Sequence, residues 1–305
     1  MVLFLRCGCK DNLCHHRTRK NMISYLDSNG FETLLPQSTL NRSYEFDLSQ
    51  VRFVKPQGIV GLLLLIIHLK SLGKQITVVV PDNATVLDYL QKIGFFVEAR
   101  DLVSFTNLSS NFLTARPHPT STMQALTRVK NHSEVRPVVD KFARYLSEEL
   151  RFDEGLVNEL WSVMVEMIEN IPHHAYPNDK KFPVNEGFVN MQFLPNLRKL
   201  YFTVGDLGIG IKESVNRAKH YSYTFRSDSS VIKTVMTSGI SSKGGIRGGG
   251  IHVTSQKISQ FNGWMVIRSH TGYAMQYPRG EIRTFDGLNY LPGTQVSIHI
   301  SSERH

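Results

Sequence analysis

A strongly apolar helical segment, Ile59 to Leu72, is the feature of this sequence that most constrains its fold. Gly73 is a natural stop signal for that helix. Gln75–Val80 (QITVVV) then reads as a buried strand, because it is rich in β-branched residues and is followed by Pro81. A buried helix leading into a buried strand favours an α/β layer with some parallel strand pairing.

The segments around this pair continue the alternation, so the N-terminal α/β domain is predicted to span residues 21–107. Strands are predicted at Tyr44–Leu48 and Val51–Val54. A helix follows at Ala84–Ile93, and a further short strand is predicted at Phe95–Val97.

The segments YEFDLSQVRFVKPQGIVGLLLLI, GKQITVVVP and VLDYLQKIGFF resemble, in that order, a STAS domain, the fold of anti-sigma-factor antagonists. In phosphorylated members of that family, the first serine of an Asp-Ser-Ser-Gly-like motif before the helix accepts the phosphate. Lys55-Pro56-Gln57-Gly58 stands at that position here, and Pro56 has no hydroxyl. The resemblance therefore implies a STAS-like regulatory domain with a packing or sensing role and without a phosphoswitch.

Residues 108–137 are rich in Ser, Thr, Asn and Pro and are predicted to form a linker. A second domain is predicted from residue 138 to residue 305. Its helices at Val138–Leu150 and Glu154–Ile171 precede a series of strands. Helices on one side of a mostly antiparallel sheet predict an α+β two-layer sandwich.

Glu166 and Asn170 are four residues apart on the second of these helices, so both side chains project from one face. A carboxylate in such a pair can polarise an attacking water. The amide oxygen can ligate Mg²⁺, which prefers oxygen ligands. Taken alone, the pair also fits an ordinary polar helix face.

Asp206, Gly208 and Gly210 follow directly after a predicted strand. A carboxylate there can accept a hydrogen bond from the exocyclic amine of adenine, and the glycines let the backbone approach a flat ring. A Gly-rich turn between strand and helix fits equally well. Gly293-Thr294 opens the last strand, where the hydroxyl could reach a phosphate or the region of Asp206.

Residues 241–250 (SSKGGIRGGG) run directly into a predicted helix. Free backbone N–H groups and a helix N-terminus form an anion site that suits phosphates. The residues expected to hold phosphate are Lys243, Arg247, Gly248, Gly249 and Gly250. A flexible linker would be the simpler reading, but one seldom leads into an amphipathic helix with Lys and Arg embedded.

Together the four motifs resemble the N, G1, G2 and final boxes of the gyrase, Hsp90, histidine-kinase and MutL (GHKL) ATPase superfamily. The separations fit: 36 residues from Asn170 to Asp206, 42 from Asp206 to Gly248, and 44 from Gly250 to Thr294. The resemblance implies a Bergerat ATP-binding fold with ATP and Mg²⁺ as cofactors.

By this resemblance Glu166 would be the water-activating base and Asn170 the Mg²⁺ ligand. Asp206 would recognise adenine, while Gly208 and Gly210 would shape the pocket.

The segment after Asn170 departs from a regular helix pattern. Pro172 removes the bond to the Ile168 carbonyl, so the helix is expected to kink or end there. His174 matches a histidine that is frequent in the family four residues after the Asn.

Three functions remain open at this point. The first is a Mg-dependent ATPase conformational switch. The second is a serine/threonine protein kinase of the anti-sigma-factor type, because ENIPHHAY at Glu169–Tyr176 resembles those kinases; since Pro56 removes the acceptor in cis, a separate protein substrate would be needed. The third is an ATP-gated scaffold that does not hydrolyse ATP. A protein partner is expected in each case, and GHKL ATPases often dimerise on ATP, which predicts an ATP-dependent homodimer.

The net charge of +9 suits phosphate-rich partners and leaves nucleic acid open as one of them. Residues 1–20 carry +4 of it and are predicted to be a flexible basic tail. That tail contains potential metal ligands without a second ligand pair at a typical distance: Cys7, Cys9, Cys14, His15 and His16. The longest apolar run, Ile59–Ile67, is too short for a membrane span, which needs about 20 residues. A cytoplasmic protein is therefore expected.

Overall fold

The computed structural model describes residues 22–118, 120–174, 186–218, 224–240 and 249–301. The helices are α1 (Ser28–Leu34), α2 (Pro56–Ser71), α3 (Ala84–Lys92), α4 (Phe95–Ala99), α5 (Ser110–Thr114), α6 (His132–Arg144), α7 (Glu154–His174), α8 (Gly210–Arg217), α9 (Asp228–Ser238) and α10 (Gly250–Gln260). The strands are β1 (Tyr25–Leu26), β2 (Ser43–Asp47), β3 (Phe53–Val54), β4 (Gln75–Val79), β5 (Ser104–Thr106), β6 (Thr127–Val129), β7 (Gly187–Leu194), β8 (Lys199–Asp206), β9 (Trp264–His270), β10 (Gly272–Gln276), β11 (Ile282–Phe285) and β12 (Leu291–Ser301).

The first block contains a three-stranded parallel sheet in the order β2-β4-β5, and β1 pairs with β3. The mixed α/β class is therefore confirmed. The predicted strand at Phe95–Val97 is wrong, because these residues begin α4. Gly94, at φ 85°, turns the chain out of α3 and straight into α4, and buried Phe96 packs edge-on against Phe105.

The second block is built on a seven-stranded antiparallel sheet in the order β11-β10-β9-β12-β8-β7-β6. Side chains alternate between the two faces of each strand. On one face Phe202, Val204, Ile267 and Ile298 join a buried apolar core. Helices α6 to α10 cover this face and also contribute to that core.

The opposite face of this sheet is covered in part by α2. A Cβ atom on Gly205 of β8 would lie 2.7 Å from Leu64 Cδ1 and 3.0 Å from Val60 Cγ1, so the helix packs directly on the strand. On another side of α2, Gly61 lies against the ring of Phe31 in α1. Twelve of the sixteen residues of α2 are buried, because the helix is enclosed by both blocks, and this accounts for its apolar sequence.

Ion pairs and a hydrogen bond also join the two blocks. The Nε of Arg268 on β9 lies 2.6 Å from Glu32 of α1, and the side chain of Asn289 donates to the Leu35 carbonyl at 2.9 Å. Towards the other edge of the sheet, Arg128 of β6 pairs with Glu98 of α4 at 2.7 Å. The N-terminal block therefore contacts the sheet at more than one place.

Several of the predicted segments differ in detail. Residues 108–137, which were predicted to form a linker, contain α5, β6 and the start of α6. The proposed domain bounds stay a prediction. The basic tail, with its Cys and His residues, lies outside the described residues. Across the part of the chain that the structure describes, no helix has the length and apolar character needed to cross a membrane.

Candidate functional site

Helix α7 carries the first pair of predicted site residues. It starts after Asp153, whose carboxylate accepts a hydrogen bond from the Leu156 N–H at 3.1 Å. One face of the helix is buried in the core, at Leu160, Met164, Met167, Ile168 and Ile171. The Glu166 side chain is exposed and Asn170 is half-buried, so the helix offers both to the surface.

The helix does not end at Pro172, as one reading of the sequence predicted, but continues to His174. Contacts of the His173 side chain support this last turn. Its Nδ1 lies 2.6 Å from the Glu169 carbonyl oxygen, and its ring lies 4.4 Å from that of His132 in α6. The side chain of His174 lies outside the described residues, so its role stays a prediction.

The carboxylate of Glu166 lies against the start of α10. A Cβ atom on Gly250 would be only 2.2 Å from Glu166 Oε2, so no residue with a side chain fits there unless the carboxylate moves. The first N–H groups of an α-helix have no partner within the helix and attract anions. The structure thus places the predicted base beside the helix end that was predicted to face phosphate.

Gly249, the N-cap of α10, is half-buried, and a Cβ atom on it would lie 3.8 Å from the Gly239 carbonyl oxygen. Lys243, Arg247 and Gly248 fall outside the described residues, so their predicted role in holding phosphate stays a prediction.

Asp206 ends β8 and is only 6% exposed. Its Oδ1 accepts the Gly208 N–H at 2.7 Å. Burial raises the pKa of this carboxyl to about 7, although hydrogen bonds from the N–H groups of Gly208 and Thr294 act in the opposite direction. Asp206 therefore changes charge near neutral pH, which is unusual for a carboxyl group.

Gly293 makes the close approach to Asp206 possible. Its φ is +83°, and a Cβ atom on it would lie 2.0 Å from the Asp206 carbonyl oxygen. Only glycine combines this conformation with this contact. The predicted Gly293-Thr294 motif thus lies directly on the Asp206 motif.

Thr294 and the start of α8 are joined by a serine that the sequence reasoning missed. The Ser269 hydroxyl accepts the Ile211 N–H at 3.0 Å and lies 3.1 Å from the Thr294 hydroxyl. Beside it, the ring of His270 lies against Gly210, where a Cβ atom would be 2.5 Å from Nε2. Ser269 and His270 lack a motif and become recognisable only once the pairing of β9 with β12 is known.

A packing contact joins the two halves of the site. Ile171, the residue after Asn170, lies against Gly187, where a Cβ atom would be 2.9 Å from Ile171 Cδ1. Gly187 is in turn the strand partner of Asp206. The end of α7 therefore lies over the end of the strand that carries Asp206.

No protein-family model matches the chain, and no curated protein matches it. Among solved structures, the chain is similar to a chain in the crystal structure of the SiaB-SiaC complex from Pseudomonas aeruginosa. The two are 13% identical, and the match covers 59% of this chain and 89% of that chain with a TM-score of 0.30. A likeness at that TM-score assigns neither fold nor function.

Proposed function

We propose that this protein is an ATP-binding switch that hydrolyses ATP with Mg²⁺, built on a Bergerat-type domain with a STAS-like regulatory block. The observation that carries the proposal is that motifs far apart in the sequence lie on one side of one sheet, in two pairs. Asp206 is in contact with Gly293, the residue before Thr294, and Glu166 is in contact with Gly250.

The residues present fit ATP chemically. The Asp206 carboxylate would accept a hydrogen bond from the adenine amine. The N-terminus of α10 would attract the phosphates. Space for them lies beside Gly249, where a Cβ atom would meet nothing closer than 3.8 Å, whereas the Glu166 carboxylate takes that space at Gly250.

Two side chains of α7 would supply the catalytic chemistry. The bond to be broken would be a phosphoanhydride bond of bound Mg-ATP. The exposed carboxylate of Glu166 would take a proton from the attacking water, and the Asn170 amide oxygen would ligate the metal.

The environment of Pro56 supports a packing role for the STAS-like block. Pro56 is buried and begins α2, the position in a helix where proline costs least. A group that must be phosphorylated has to be reached by a kinase, and this position is enclosed. A kinase function would therefore need a separate protein as substrate.

Mg-ATP binding by calorimetry, with phosphate release followed on the same samples, tests the proposal. Asp206→Asn should weaken binding about 10- to 100-fold, the value of a hydrogen bond to a charged group. Glu166→Gln should bind ATP but release phosphate about 10²- to 10⁴-fold more slowly. Glu169→Gln, on the same helix but a different face, is the matched control and should behave as the wild type.

Failure of the wild-type protein to bind Mg-ATP would refute the proposal. Binding without phosphate release would refute its hydrolytic part and favour a scaffold or a kinase. Equal loss of turnover in Glu166→Gln and Glu169→Gln would remove Glu166 from the role of base.

A further inference from the structure

A cavity of about 320 Å³ lies on the sheet face that carries α2. The sheet forms one wall, and the starts of α1 and α2 form the other. The side chains that matter here are Lys55, Lys199, Tyr201, Trp264, Tyr273 and His299. Tyr201 and Gly205 are four residues apart on β8 and lie on the same face of the sheet, whereas Asp206, the next residue, lies on the other face. The cavity and the candidate nucleotide site are therefore on opposite faces of the sheet.

Three aromatic rings form a row across the cavity floor. His299 of β12 is directly opposite Tyr201 of β8 and Trp264 of β9. Directly opposite residues share a face of the sheet, and the ring of His299 lies 5.2 Å from that of Tyr201 and 5.5 Å from that of Trp264. Tyr201 is only 5% exposed and Lys55 Nζ lies 5.8 Å over its ring, so the half-buried rings of Trp264 and His299 offer the accessible aromatic surface.

The charge at the edge of the cavity is positive. Lys55 Nζ lies 3.5 Å from Asp27, whose carboxylate also accepts two N–H groups at the start of α1. Among the described residues, no carboxylate forms an ion pair with Lys199 within 4.0 Å. Burial, with a smaller contribution from the charges of Lys199 and Lys55, lowers the pKa of His299 to about 3, so the imidazole is neutral at pH 7.

We propose that this cavity binds a small, planar aromatic anion. Its ring would pack on Trp264 and His299, and its anionic group would pair with Lys199 at the edge. The volume suits a ligand of one or two rings, at the lower end of the size of small-molecule sites. The proposal does not rest on ATP binding, because the cavity uses none of the residues assigned to ATP.

Indole-3-carboxylate and its neutral match, indole-3-carboxamide, are suitable probes for the full chain without nucleotide. Calorimetry and ligand-observed NMR should show binding of the acid, with the amide at least about tenfold weaker. Lys199→Met removes the charge and keeps the length of the side chain, and should weaken the acid about tenfold while leaving the amide unchanged. Lys233→Met, on the exposed face of α9, is the control and should change neither.

Trp264 provides a second readout at the cavity itself. The chain has two tryptophans, so ¹⁵N-labelled Trp161→Phe protein gives one indole N–H signal, that of Trp264, and the unlabelled acid should shift this signal in the NMR spectrum. The proposal is overturned if the wild type fails to bind the acid, if acid and amide bind equally, or if Lys199→Met binds the acid as the wild type does. Lys55→Met, on the opposite wall, gives an independent second variant if Lys199→Met does not fold.

Discussion

Replacing Asp206 by asparagine removes a buried charge while keeping the size of the side chain and an oxygen that can accept the Gly208 N–H. The pKa of the carboxyl is about 7 in the folded protein and 3.8 for an ordinary aspartate. Between these pH values the folded protein holds a proton that the unfolded chain has lost. The contribution of Asp206 to the stability of the wild type should therefore fall as pH rises from about 4 to 7 and stay level above that.

The magnitude follows from the same two pKa values. Above pH 7 the buried charge costs the folded wild type on the order of 4 kcal/mol, and at pH 5 less than half of that. Asparagine does not carry this cost. The stability of Asp206→Asn relative to the wild type should thus increase by about 2 to 3 kcal/mol between pH 5 and pH 8.

Urea unfolding of both proteins at pH 5, 6, 7 and 8 measures this difference directly. Asp286→Asn is an informative control. Burial alone would raise the pKa of Asp286, but hydrogen bonds from Ser227 and Ser229 lower it overall. It is ionised throughout this range, so its substitution should destabilise by a constant amount. A pH-independent difference for Asp206→Asn would refute the reasoning.

Three further predictions concern packing, the join between the blocks and assembly. Gly293→Ala should destabilise by more than about 2 kcal/mol compared with Gly287→Ala in urea unfolding, because both have positive φ but only Gly293 meets backbone atoms; equal losses would contradict this. Glu32→Ala should cost about 3 kcal/mol in the same assay, because it leaves the buried Arg268 without its carboxylate, and a loss below about 1 kcal/mol would show that the pair is not needed. A non-hydrolysable ATP analogue should double the mass measured by light scattering if ATP drives homodimerisation, whereas an unchanged mass would count against a dimer.

Local patterns predicted much of the fold. The apolar run at Ile59–Leu72 predicted a helix, and α2 spans Pro56–Ser71. A strand was predicted at Phe95–Val97 because aromatic residues favour strands. These residues instead begin a helix, in which Phe96 packs against Phe105. The apolar character of α2 indicated burial but could not indicate its partner, since that partner, β8, is far away in the sequence.

Residue type and spacing predicted Glu166 and Asn170 as part of the candidate site, and their functional roles stay a prediction. Contacts that depend on strand register could not be predicted from the sequence. Ser269 reaches Thr294 only because β9 pairs with β12, and the pair of Arg268 with Glu32 joins residues from opposite ends of the chain. Such contacts depend on the finished topology, and no local pattern encodes them.

The position of α2 between the two blocks also bears on how this protein can change over evolutionary time. A domain that folds alone can be exchanged between genes, because its surface is already compatible with water. The face of β8 around Gly205 is shaped to accept Leu64 and Val60, so neither block could be inherited alone without exposing the surface that the other now covers. Substitutions on either side of this contact have to suit the other, and the two blocks are expected to be passed on together.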